Sequence, residues 1–164
     1  MLRDKNLIPL SHQHQHALAM CVRLDRALAR GDADLNAWQD EMVSIWKAEI
    51  CFHFQAEEKI LFPAAETYAL LKALVKRLLS EHATLRDFFS QAQMRRLQAA
   101  DLKIFAETLS QHIRTEERQL FEQCQRQMSA DEMARTGAAM EDYFVNCGMP
   151  GASCALPVKR KEQF

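Results

Sequence analysis

Two stretches of this chain carry the same chemical pattern. His53 to Pro63 reads HFQAEEKILFP, and 59 positions later His112 to Glu122 reads HIRTEERQLFE. Aligned without a gap, they share the His, the Glu-Glu pair, the Leu and the Phe. In each copy a His precedes a Glu by four residues, so on a helix the imidazole and the carboxylate lie one above the other on a single face. Stacked in that way they can reach one divalent metal, and two such helices facing each other can hold two.

The elements that must position these groups are legible as periodic stripes. Pro9 suits a first helical turn and Gly31 the position just past a helix end. Between them Leu10, His14, Ala17, Cys21, Leu24 and Leu28 recur at helical spacing. Of the histidines in SHQHQH, periodicity favours His14; His12 and His16 are rotated about 200° away, toward solvent. A second helix is expected from about Leu35 to Phe62, capped by Asp32 or Asp34 and stopped or kinked by Pro63. Its stripe is Val43, Trp46, Ile50, His53, Glu57 and Ile60. A third, from about Tyr68 to Leu97, presents Leu71, Val75, Leu78, His82, Leu85 and Phe89. A fourth, from about Leu102 to Met128, presents Leu102, Phe105, Leu109, His112, Glu116 and Leu120. Ser129 with Glu132 predicts a capping box for a short fifth helix over Ala130 to Asp142.

Long amphipathic segments with short connections predict an all-α fold: an up-down-up-down four-helix bundle, with a short fifth helix and an irregular C-terminal tail. The expected division is a bundle domain over 1–145 and a tail over 146–164. At 164 residues with 48% hydrophobic content, four Gly and four Pro, one helical domain with a real core is the natural reading. A net charge of −1 gives no electrostatic reason to expect nucleic acid or an anionic membrane. The segment MLRDKNLIPL lacks the apolar core of a signal peptide, and no apolar run approaches the roughly 20 residues of a spanning helix. A cytoplasmic protein is the expectation. Five cysteines, odd in number and without a CxxC, fit a reducing compartment and disfavour a thiolate zinc site. Cys147 and Cys154 flank a Gly- and Pro-containing loop and are the candidates for a reversible disulfide; Cys21 reads as small core filler.

Each of the four stripes is apolar except near its middle, where His14, His53 with Glu57, His82, and His112 with Glu116 interrupt it. An unpaired buried carboxylate costs several kcal/mol, and two at one level of a core also repel, so something positive belongs between them. A lone histidine on an apolar stripe is ordinarily a hydrogen-bonded core residue. Four at mid-helix, two followed by a Glu, point to a metal site instead. Imidazole with carboxylate suits iron, manganese or zinc and disfavours copper(I). Six ligands exceed one tetrahedral zinc and match two metals bridged by both carboxylates. Trp46, Phe54 and Phe89 are candidates to wall a dry pocket. Glu58 and Glu117, one residue off the stripe, suit a role as partners of a histidine N–H.

The doubled H-x-x-x-E-E-x-x-L-F pattern, with lone histidines on the first and third helices, resembles the hemerythrin-like (HHE cation-binding) family over about residues 8 to 128. The resemblance implies a non-haem centre of two iron ions, oxo- or hydroxo-bridged, held by His14, His53, Glu57, His82, His112 and Glu116, with manganese or zinc able to take the same ligands. It implies reaction with dioxygen, peroxide or nitric oxide. One departure bears on the outcome. Oxygen carriers of the family have two histidines four apart on the third helix, and here Arg86 stands four residues after His82. The missing donor leaves an extra open position for water, an exogenous ligand, or a carboxylate such as Glu58, Glu81 or Glu117. Such a centre should autoxidise readily, so the expectation is a sensor or redox-reactive centre rather than a carrier. Sensing would run through a separate protein signalling partner or end in sequestration of the ligand. The enzymatic alternative is peroxide disproportionation or reduction of a small oxidant, with iron binding or homeostasis as a third role.

Overall fold

A computed structural model of the chain describes residues 2–147 and Leu156. Helix α1 spans Ile8–Arg30, with Pro9 in its first turn and Gly31 closing it at φ 75°, a left-handed conformation that favours glycine. Asp34 caps the next helix, its carboxylate accepting from the backbone N–H groups of Asn36 and Ala37 at 3.0 Å each. That helix, α2, runs over residues 35–66. After a single 3-10 turn (Ala69–Leu71) comes α3, Lys72–Gln93, and then α4 over residues 99–127. Gln98 and Asp101 form a reciprocal capping box at the start of α4. Helix α5, Ala130–Cys147, opens on the expected Ser129–Glu132 box. Among the described residues there is no strand, and no helix is long and apolar enough to cross a membrane.

Cross-helix pairs fix the directions. His14 meets His53 while Arg23 meets Glu41, so α1 and α2 are antiparallel. Glu58 meets Arg86 while Asp40 meets Arg95, so α2 and α3 are antiparallel. His82 meets His112 while Phe89 meets Phe105, which sets α3 against α4 in the same sense. This is the up-down-up-down bundle that the stripes predict. The core is divided. One apolar cluster, here the upper, contains Leu24, Met42, Trp46, Phe89 and Phe105, and the other, the lower, contains Leu10, Leu61, Phe62, Leu78, Leu120 and Phe121. The buried His and Glu side chains form a polar layer between them.

Several expectations are corrected. Pro63 neither stops nor ends α2, which continues to Glu66. A wide turn over Glu57–Leu61, in which the Phe62 N–H reaches back five residues to the Glu57 carbonyl, shifts the hydrogen-bond ladder just before the proline. The ring and its missing N–H therefore fall where the regular pairing has already been broken. A second wide turn at Trp46–Ile50 rotates the buried face. Met42 and Leu61 are buried in place of Val43 and Ile60, which are only half-buried. Helix α3 is shorter than predicted at both ends, and α5 runs five residues beyond Asp142, to Cys147. Met140 and Met133 bury against the lower cluster, and the Tyr143 hydroxyl donates to Gln55 of α2. Gly137 is where α5 meets the N-terminal segment: a Cβ there would lie 2.7 Å from Cγ of Asn6.

Of the expected tail, Leu156 is buried and belongs to the upper apolar cluster. Cys21, Cys124 and Cys147 are free thiols, so Cys147 does not form the disulfide considered for it. Cys51 is disulfide-bonded, which departs from a wholly reduced set. Cys154 lies outside the described residues.

Candidate metal centre

Each helix of the four-helix bundle contributes to one layer: His14 from α1, His53 and Glu57 from α2, His82 from α3, His112 and Glu116 from α4. All six are buried, Glu57, Glu116 and His82 completely. His12 and His16 are exposed, as their position off the stripe predicts, and His16 pairs with Glu49 on the surface. The six converge as two overlapping groups. His14, His53, Glu57 and Glu116 have ligand atoms within 4.8 Å of one another, and so do Glu57, His82, His112 and Glu116. Both carboxylates belong to both groups.

The atomic detail is more pointed. His14 Nε2 faces His53 Nε2 at 3.0 Å, and His82 Nε2 faces His112 Nε2 at 3.1 Å. Glu116 places Oε2 3.1 Å from His14 Nε2 and Oε1 3.2 Å from His112 Nε2. Glu57 places Oε1 3.3 Å from His53 Nε2 and Oε2 3.4 Å from His82 Nε2. Each carboxylate thus turns one oxygen to each histidine pair. Among the described residues none of these four buried oxygens accepts a hydrogen bond, because the nearby ring nitrogens aim at each other. Buried acceptors with no donor are costly and rare. Two ligand atoms bound at about 2.1 Å and at a right angle are about 3.0 Å apart, so the spacing within each pair is that of neighbouring ligands on one ion. Imidazole nitrogens and carboxylate oxygens suit iron, manganese or zinc. The residues present fit a pair of such ions.

The outer nitrogens fix the tautomers. His14 Nδ1–H donates to Glu117 at 2.7 Å, His82 Nδ1–H to Glu58 at 2.8 Å, His112 Nδ1–H to Glu81 at 2.9 Å, and His53 Nδ1–H to Oε1 of Gln13 at 2.7 Å. Each of the three carboxylates also accepts from an arginine at 2.7 Å: Glu117 from Arg3, Glu58 from Arg86 and Glu81 from Arg77. Glu58, Glu81 and Glu117 therefore sit behind the histidines and do not fill a position between them. Arg86, in the place of the carriers' additional histidine, steadies Glu58 and lies over the Phe54 ring. Gln13, Arg3 and Arg77 were not singled out in the sequence: Gln13 and Arg3 meet their partners across elements, which helical spacing does not report, and Arg77 pairs with Glu81 on its own helix but off the buried stripe.

Aromatic rings hold the imidazoles in plane. Phe54 stacks on His82 with centroids 3.7 Å apart. The Phe of each repeat does the same for the histidine of another helix: Phe62 for His82 and Phe121 for His14. Trp46 and Phe89 pack on each other in the upper cluster, as plain core. A cavity of about 10 Å³ beside the first pair is lined by Gln13, His14, Ala17, Ile50, His53, Phe54, Leu109 and Ile113. Room for one water-sized molecule is all that such a volume provides.

The electrostatics follow the geometry. Burial alone would lower the pKa of His14, but Glu116, Glu117 and Glu57 outweigh it and raise it to about 9. Burial likewise opposes charge on His112, and Glu116, Glu81 and Glu57 raise it to about 10. Burial pushes Glu57 and Glu116 up, yet the surrounding imidazoles hold both below the ordinary carboxylate value. Glu58 is brought down to about 2 by His82 and Arg86 against the opposing effect of partial burial.

The model of one known family, the hemerythrin HHE cation-binding domain, matches residues 9–124. That span is more than half of the chain and includes all six residues of the polar layer. No curated protein and no solved structure matches. The family match and the buried His/Glu cluster together suggest a metal-binding site.

Proposed function

The chain belongs to the hemerythrin HHE cation-binding family, and on that premise we propose that it binds two iron ions and responds to a small oxidant or diatomic ligand: dioxygen, peroxide or nitric oxide. The observation that carries the reading is the pair of opposed Nε2 atoms on either side of four carboxylate oxygens that lack hydrogen-bond donors. His14 and His53 would hold one ion, His82 and His112 the other, and Glu57 and Glu116 would span both. Iron there would supply one-electron redox chemistry and open coordination positions.

The rest is the work of this chain's own groups. The Nδ1–H bonds to Glu117, Gln13, Glu58 and Glu81 hold the four rings with Nε2 inward, so little reorganisation accompanies binding. Leu109, Ile113, Ile50 and Phe54 keep bulk water from the first pair, and the cavity beside it admits only a small molecule. Arg86 has no lone pair to offer in place of a histidine ligand and donates to Glu58 instead, which favours sensing or redox reaction over reversible carriage.

The test is stoichiometry against turnover. Anaerobically iron-loaded protein should take up nitric oxide or react with dioxygen in amounts set by its metal content, and should bleach with few equivalents of peroxide. Destruction of peroxide at many equivalents per iron would replace the sensing reading with the enzymatic one.

A further inference from the structure

The four histidines are not supported alike. Three donate from Nδ1 to a carboxylate that an arginine steadies; His53 alone donates to a neutral amide, Oε1 of Gln13. The difference divides unevenly between the two pairs. Both members of the His82/His112 pair are backed by carboxylates, Glu58 and Glu81. The His14/His53 pair has one carboxylate, Glu117, and one amide.

A carboxylate that accepts the Nδ1 proton shares negative charge with the ring and makes Nε2 the stronger donor, and removing such a partner typically lowers metal affinity by about 10–100-fold. An amide oxygen has a dipole in place of a charge and does this less. The arginines do not create the contrast, because each of the three carboxylates accepts from one at 2.7 Å, from Arg3, Arg86 or Arg77. The central carboxylates do not create it either, since each gives one oxygen to each pair at 3.1–3.4 Å.

We infer that Gln13 makes the two cation positions unequal: the one between His82 and His112 binds a divalent ion first and more tightly, and the one between His14 and His53 binds later and holds the more electron-poor ion. Gln13 is a positioning residue in this account, since it acts through His53. It also lines the small cavity beside that pair, so the poorer donor set faces the side where a small ligand has room. The inference rests on the two-ion reading above.

Zinc tests it without redox chemistry. Calorimetric titration of the metal-free full chain with Zn(II) should give two steps whose affinities differ by about 10–100-fold. Gln13→Glu, nearly isosteric, should tighten the weaker step by about tenfold and leave the tighter one within about threefold. Glu81→Gln approaches the same difference from the other side and should loosen the tighter step by a similar factor. Helix content by circular dichroism checks that each variant is folded, and Glu81→Gln carries the test should Gln13→Glu not fold. Two equal sites in the unaltered protein, or an unchanged gap in both folded variants, would overturn the inference while leaving the two-ion reading intact. Absence of zinc binding in the unaltered protein would overturn that reading, and this inference with it.

Discussion

In the metal-free chain each pair of facing imidazoles still needs a cation, and a proton is the smallest one. The raised pKa of His14, about 9, and of His112, about 10, keeps those two rings protonated at neutral pH. The protonated Nε2–H of His14 is placed to donate to His53 at 3.0 Å, and that of His112 to His82 at 3.1 Å. Those two positive rings offset the charges of Glu57 and Glu116 without metal. Metal must displace both protons, and loading two divalent ions at pH 7.5 should release about two protons per chain. Affinity should climb with pH until His14 and His112 deprotonate on their own. Calorimetry in buffers of different ionisation enthalpy measures the release; none at pH 7.5 would contradict the account. At this scale the sequence was informative about the inward groups and about Glu58 and Glu117 as partners of histidine N–H groups, and silent about the other outer ones. Helical spacing of four placed His53 above Glu57 and His112 above Glu116. Gln13 and Arg3 reach their partners from another helix or from the N-terminal segment, where no periodicity marks them, and Arg77 pairs with Glu81 off the buried stripe.

The elements carry a second regularity. Glu57 and Glu116 each open a wide turn, Glu57–Leu61 and Glu116–Leu120, at the same place in the repeat. Such turns recur at functional sites because they re-aim side chains within a continuous helix. Here Leu61 with Phe62, and Leu120 with Phe121, all reach the core, and the two phenyl rings back His82 and His14. A strict 3.6-residue period cannot foresee this. It is why Val43 and Ile60 were expected inside where Met42 and Leu61 stand, and why Pro63 was expected to stop or kink a helix that passes through it. Caps and punctuation were legible because their chemistry is local: Gly31, Asp34 and the Ser129–Glu132 box behave as their residue types require. The seat of α5 was not, since it depends on Gly137 lying against Asn6, whose side-chain amide donates to Asp4. Gly137→Ala would force Asn6 aside and should cost about 1–3 kcal/mol, a typical overpacking penalty. A urea midpoint unchanged from that of the unaltered protein would show that the contact yields freely.

Across the whole molecule, a charged layer separates two apolar clusters, and stability should report its charge state. His14 and His112 have raised pKa values, so their contribution in the metal-free chain is complete below about pH 6.5, the unfolded value, and is lost as pH rises through about 9 to 10. Glu57 and Glu116 are lowered, so theirs is present above about pH 4.5 and is lost in acid. Metal-free protein should therefore melt highest between about pH 5 and 8, and bound metal should extend the alkaline limit by replacing the protons that alkali removes. An alkaline limit that metal does not move would place the titrating groups elsewhere. The most direct test of the centre is the iron content of protein reconstituted anaerobically with Fe(II) and freed of excess metal. The account predicts about two irons per chain, unaffected by His12→Ala and lost in Glu116→Ala, whose carboxylate faces both histidine pairs. Retention of both irons by folded Glu116→Ala, or their loss in His12→Ala, would contradict it.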